Sequence, residues 1–178
     1  MAGTIAAAAA LSRAQSAADG PRHNESTLAG LRPGRSKLST KEKFPGLGTA
    51  TADATGYRWT DRCNGRRLSV EIEEDRTVRT VTISAPGTAR TDCASQQTRT
   101  QASLKTGHGL GLGDSCERAT ELYGKPESRG PSVRGTRKLE LLFYSFDWAG
   151  EDVPQSMEVS CDPASGRVVE ITLASSTL

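Results

Sequence analysis

The run from Thr106 to Pro126, TGHGLGLGDSCERATELYGKP, constrains the fold more than any other part of the chain, because it specifies a short helix at both ends. Asp114 stands where an N-cap belongs. Glu117, three residues on, completes a capping box, so orphan N–H donors of the first turn are satisfied reciprocally. Cys116, Ala119, Leu122 and Tyr123 recur at i, i+3, i+6 and i+7 and lay a narrow apolar stripe on one face, with Arg118 and Glu121 turned outward. Gly124 supplies the left-handed position after the last turn, and Pro126 forbids continuation. The alternating Gly107, Gly109, Gly111 and Gly113 lack the G-x-G-x-x-G spacing of a phosphate loop, and Asp114 puts a carboxylate where a phosphate would lie. They read as an irregular approach that docks Leu110 and Leu112 under the helix.

A weaker copy precedes it. GLRPGRSKLSTKEKFPG from Gly30 lies against GLGLGDSCERATELYGK from Gly109 at a constant offset (109 − 30 = 79), matching Gly34 with Gly113, Ser36 with Ser115, Glu42 with Glu121 and Phe44 with Tyr123. Pro45 and Lys43 make the first helix the shorter of the two. Strand patterns follow each copy. After the first, Tyr57 to Cys63 places Tyr57, Trp59 and Asp61 on one face; Asn64-Gly65 signals a two-residue hairpin; Leu68, Val70 and Ile72 alternate; and Val78 to Ser84 forms a third strand. After the second, 127–137 reads as a Gly, Pro and Ser-rich loop. Leu139 to Trp148, the Met157, Val159, Cys161 alternation and Val168 to Ala174 then make another meander. VRTVTIS and VVEITLA match at an offset of 168 − 78 = 90. The expected fold is therefore α+β, two tandem modules, each a short helix packed on a three-stranded antiparallel meander. The boundaries are 1–27 for a leader and polar segment, 28–85 for the first module, 86–105 for a linker and 106–178 for the second.

At 35% hydrophobic and 4% aromatic residues the core is lean, which favours staples. A net charge of +2 from interspersed charges gives no clustered basic footprint for nucleic acid. No segment reaches the roughly 18 apolar residues of a membrane span. The Ala-rich opening MAGTIAAAAALSRAQSAAD resembles the apolar region and cleavage site of a secretory signal, though without a basic start, and points to a periplasmic or secreted protein. Cys63, Cys93, Cys116 and Cys161 lack ligand spacing with His23 or His108, so disulfides fit better than a metal site. Three pairings are possible; Cys93 with Cys116, tying the linker to the helix, is the one expected, which leaves Cys63 and Cys161.

A Gly-Leu-x-x-Gly approach to a short helix ending in Tyr-Gly-x-Pro, followed by three antiparallel strands, resembles the module of the SmpA/OmlA-type small lipoproteins and of the secreted β-lactamase inhibitor protein family. The resemblance spans roughly Leu28 to Leu173. It implies two modules side by side whose sheets form a concave surface that grips a partner protein. No residue-level match transfers that family's contacts, and no lipobox cysteine is present.

No chemistry emerges from the residues. G-x-S-x-G and S-x-x-K are missing, and His108 between glycines reads as a loop side chain rather than a base. Glu73-Glu74-Asp75 and Glu151-Asp152 read as solvated turns. No cofactor or metal is expected. The aromatics are few: Tyr144, Phe146 and Trp148 share one face of their strand, while Leu139, Leu141 and Phe143 hold the other. Burial on both sides is one account. The sharper one is that Tyr144, Phe146 and Trp148, with Tyr57 and Trp59, line a protein-binding face. The expectation is an exported, non-enzymatic protein-interaction module; the alternative is a small hydrolase or ligand carrier with a site in an inter-module groove.

Overall fold

The computed structural model describes residues 23–39, 44, 47–61, 63–85, 104–146 and 155–175. Among the described residues, eight strands and one helix follow in chain order: β1 (Thr51–Ala52), β2 (Gly56–Asp61), β3 (Arg66–Ile72), β4 (Val78–Ser84), α1 (Cys116–Tyr123), β5 (Ser128–Arg134), β6 (Arg137–Phe146), β7 (Gln155–Asp162) and β8 (Arg167–Ser175). The strands make one antiparallel sheet in the order β1-β2-β3-β4-β8-β7-β6-β5. This corrects the expectation of two α+β modules. The fold is β-dominated, and the meanders are fused because β4 pairs with β8 from Thr80–Ala174 to Ser84–Glu170. Val81 and Ile83 thereby continue into Ile171 and Leu173, and a single hydrophobic cluster runs from Trp59 to Tyr144 under both halves. Two short meanders with lean interiors cover more apolar surface by sharing a core than by standing apart.

The strand order is symmetric about the β4–β8 seam. Thr82 and Thr172 lie opposite each other at the centre of the β4–β8 seam, with their hydroxyls 3.0 Å apart. Their separation, 172 − 82 = 90, equals the offset of the matched strands. Gly34 N–H donates to the Val78 carbonyl, and Gly113 N–H donates to the Val168 carbonyl. Gly34 and Gly113 hold φ values of 76° and 86°, a left-handed conformation that favours glycine. The first copy stops short of a helix at Ser36 to Ser39, and residues 40–43 lie outside the described set.

Local signals settle with small shifts. The N-cap of α1 is Ser115, whose hydroxyl accepts from Arg118 N–H, while Asp114 instead accepts from Gly111 N–H and steadies the approach. Asn64-Gly65 does not form a two-residue turn. β2 ends at Asp61 and β3 starts at Arg66, leaving 62–65 between them, because the Asp61 carboxylate accepts from Cys63 N–H, Asn64 N–H and the Asn64 side-chain amide. The expected loop at 127–137 is mostly strand: β5 pairs with β6 from Ser128–Phe143 to Arg134–Arg137. Pro131 is tolerated there because β5 is an edge.

The segment read as polar leader also differs. Glu25, within 1–27, is buried beside Tyr123 of α1. The expected Cys93–Cys116 bond is replaced by Cys116–Cys161, which pins the first residue of α1 to β7. Cys63 is also disulfide-bonded, and Cys93 lies outside the described residues. Among the described residues no helix is long and apolar enough to cross a membrane.

Candidate functional site

Of the aromatics expected to line a binding face, three are placed inside. Trp59, Tyr144 and Phe146 are 2%, 0% and 1% exposed. Tyr123 of α1 stands 5.8 Å from Tyr144 and 5.9 Å from Phe146, ring centre to ring centre. Phe44 meets Trp59 edge-on at 4.8 Å, and half-buried Tyr57 leans on Trp59 at 6.0 Å. Trp59, Tyr144 and Phe146 thus belong to the interior, while Tyr57 keeps part of its surface. Trp148 lies outside the described residues. β6 is apolar on both faces, and the stripe of α1 decides between them by covering Tyr144 and Phe146. Leu141 and Phe143, on the second apolar face of the same strand, are left half-buried.

The opposite face of the sheet carries no helix among the described residues. Across its centre runs the row Arg58, Ser69, Thr82, Thr172, Glu158 and Phe143, one residue from each strand from β2 to β6. The row mixes hydroxyls, charges and one aromatic ring, with half-buried Leu141 beside Phe143. Its ion pairs are exposed: Arg79–Glu71 at 3.0 Å and Arg134 to both Glu158 and Glu170 at 3.1 and 3.2 Å. Such pairs contribute at most about 1 kcal/mol each and serve orientation more than stability.

One end of this face is shaped into a pocket of about 160 Å³. The β5–β6 hairpin turns tightly at Gly135, and its arginines reach across the sheet: Arg134 to Glu158 of β7 and Glu170 of β8, and Arg137 Nη1 to the Ala85 carbonyl just past β4, at 3.1 Å. Arg67 of β3 lines the same pocket beside Ser84, and its Nε is buried without an acceptor. On the other side of the sheet, the end of α1 and the start of β5 bound an open groove of about 690 Å³ that includes Glu121, Lys125 and Arg129.

Beneath α1 lies a polar knot that sequence reading did not anticipate. Glu25 is 1% exposed. Its Oε1 accepts from Ser26 N–H, Thr27 N–H and the Thr27 hydroxyl, and its Oε2 from His108 N–H and the Tyr123 hydroxyl at 2.7 Å. Thr106 Oγ1 lies 2.7 Å from the same Tyr123 hydroxyl. His23 stacks on His108 at 4.9 Å, and His108 Nε2 sits 3.1 Å from the Asn24 carbonyl. A carboxylate offers about four lone-pair sites. Five donors saturate it, so Glu25 is a structural anchor with no free site for proton transfer.

Burial pushes the Glu25 carboxyl up, but the hydrogen bonds from Thr27, Tyr123, His108 and Ser26 outweigh it and hold the group below its ordinary 4.5. Burial, reinforced by the Glu25 charge, drives the Tyr123 hydroxyl far above its usual range. A depressed folded-state pKa contributes stability that is fully present above the unfolded value and lost as pH falls through the folded one. Urea unfolding should therefore show a steeper loss of stability between pH 5 and pH 3 in the native chain than in the Glu25→Gln variant. Parallel losses would remove Glu25 from the acid response.

No family model matches the chain, and no curated protein matches it. Among solved structures, a cysteine-rich secretory protein from Staphylococcus aureus aligns over 72% of this chain and 37% of its own length, at 9% identity and a TM-score of 0.32.

Proposed function

We propose that this chain is an exported, non-enzymatic protein-interaction module whose binding surface is the open face of its eight-stranded sheet. The observation that carries this reading is the continuity of that face from β2 to β6 without a covering helix among the described residues. The six strands, about 4.8 Å apart, give it a width of about 24 Å over five intervals. Leu141 and Phe143 supply apolar contact within a rim of hydroxyls and arginines, the mixture protein interfaces use. The disulfides at Cys116–Cys161 and Cys63 support a periplasmic or secreted setting, where such bonds persist.

The test is positional. A photoreactive benzoylphenylalanine at Ser69 or Ser156, both on the open face, is expected to give a discrete protein adduct in an extract of the native host's envelope or culture fluid. The same group at Glu121, on the outer side of α1, is expected to give none. Adducts that form equally from all three positions, or from none, would overturn the reading. The rival class is a ligand carrier using the groove between α1 and β5. A small molecule that stays with the purified protein and is displaced by bulk at Ser128 would favour it.

A further inference from the structure

We infer that the pocket lined by Arg67, Arg134 and Arg137 is an anion site that takes the carboxylate of an acidic side chain on the partner protein. This rests on the open face being the binding surface. Three arginines line a space of about 160 Å³ against one lining carboxylate, Glu170. Counting Glu158, which also pairs with Arg134, the five charges sum to 3 − 2 = +1. Arg134 spends its Nε and one terminal nitrogen on those two glutamates and is therefore a brace. Arg67 and Arg137 carry the surplus.

Arg137 is aimed by its bond to the Ala85 carbonyl, and Arg67 holds a buried Nε–H with no acceptor. A buried, unsatisfied donor on a cation is unfavourable, and an incoming anion that reaches it offsets that cost. A carboxylate suits the geometry because a guanidinium edge offers it two parallel N–H donors. The volume admits one small group, and Leu139 and Val169 give its methylene stem an apolar wall. Ser84 also lines it.

The experiment follows arginine Nε–Hε resonances of the isotope-labelled full chain while a short polyglutamate peptide is added. The Arg67 resonance is expected to move and saturate, and Arg58, distant on the same face, to stay. Arg67→Gln and Arg137→Gln should each weaken peptide binding about tenfold, the effect of losing one charge-assisted hydrogen bond. Shifts that never saturate, or that Arg58 shares, would overturn the site, as would tighter binding of inorganic phosphate than of the peptide. The site and the face fail separately. Crosslinking from Ser69 that is unchanged in Arg67→Gln would sink the pocket and leave the face. Saturable peptide binding with no crosslink from any open-face position would sink the face and leave the pocket.

Discussion

Replacing Glu25 with alanine is expected to destabilise the fold by about 3–4 kcal/mol, a large share of what a domain of this size holds in reserve. The effect comes from the donors left behind. Tyr123 is 0% exposed, and its hydroxyl would keep only Thr106; the His108 and Thr27 N–H groups would lose their acceptor in a partly buried site. The lost carboxylate also leaves a cavity under Tyr123, which packs on Tyr144 and Phe146. In chemical denaturation the midpoint should fall at constant slope, and in thermal melts it should fall by about 10 °C. Glu25→Gln, which keeps the shape and one acceptor oxygen, should recover part of the loss. Tyr123→Phe, which removes the donor and keeps the ring, should cost less than Glu25→Ala. A Glu25→Ala variant within about 0.5 kcal/mol of the native chain would mean that water replaces the carboxylate and that residues 23–27 are not an anchor.

That knot shows where a sequence stops being legible. Glu25 sits in a polar stretch with no periodicity, and its partners His108 and Tyr123 lie 83 and 98 residues away. Nothing local marks it. Local rules did well where the cause is local: the capping signal at Asp114, Gly124 and the Cys116, Ala119, Leu122, Tyr123 stripe put the N-cap of α1 within one residue of Ser115, where it lies. Alternation located β3, β4, β7 and β8, because a half-buried strand displays its inward face.

Alternation does not name a neighbour. β4 and β8 each announce one apolar face, and only the pairing of Val81 with Leu173 makes one sheet of two meanders. β5 was obscured by Gly130 and Pro131, residues that an edge strand accepts and a central strand does not. On β6 both faces are apolar, so sequence alone had no means to choose between Tyr144 with Phe146 and Leu141 with Phe143; the position of Tyr123 on α1 makes that choice. The pocket was hidden for a related reason. Arg67 and Arg137 are 70 residues apart (137 − 67), and the hairpin at Gly135 and the β4–β8 seam are both needed to bring them together.

Removing the Cys116–Cys161 bond is expected to cost about 4 kcal/mol, and the cost should fall almost wholly on the unfolded state. The bond closes a separation of 45 residues, for which loop-closure entropy gives that magnitude. The folded state has other ties at the same point. Cys116 N–H donates to the Gly166 carbonyl, Val168 N–H donates to the Asp114 carbonyl, and Arg167 Nη1 donates to the Gly113 carbonyl, so the start of α1 is already stitched to the β7–β8 turn. Both cysteines are buried, at 9% and 1% exposure, and alanine at each would leave only a small void. The Cys116→Ala/Cys161→Ala chain should therefore keep the native amide spectrum and lose stability in urea. Its unfolding slope should rise, because an unbridged denatured chain exposes more surface. A disrupted spectrum at unchanged slope would place the role of the bond in the folded structure instead, holding α1 over the sheet. In the native protein Cys63 is the most exposed of the described bonded cysteines. Limiting reductant should open its bond first, before the large stability loss that follows release of Cys116 from Cys161.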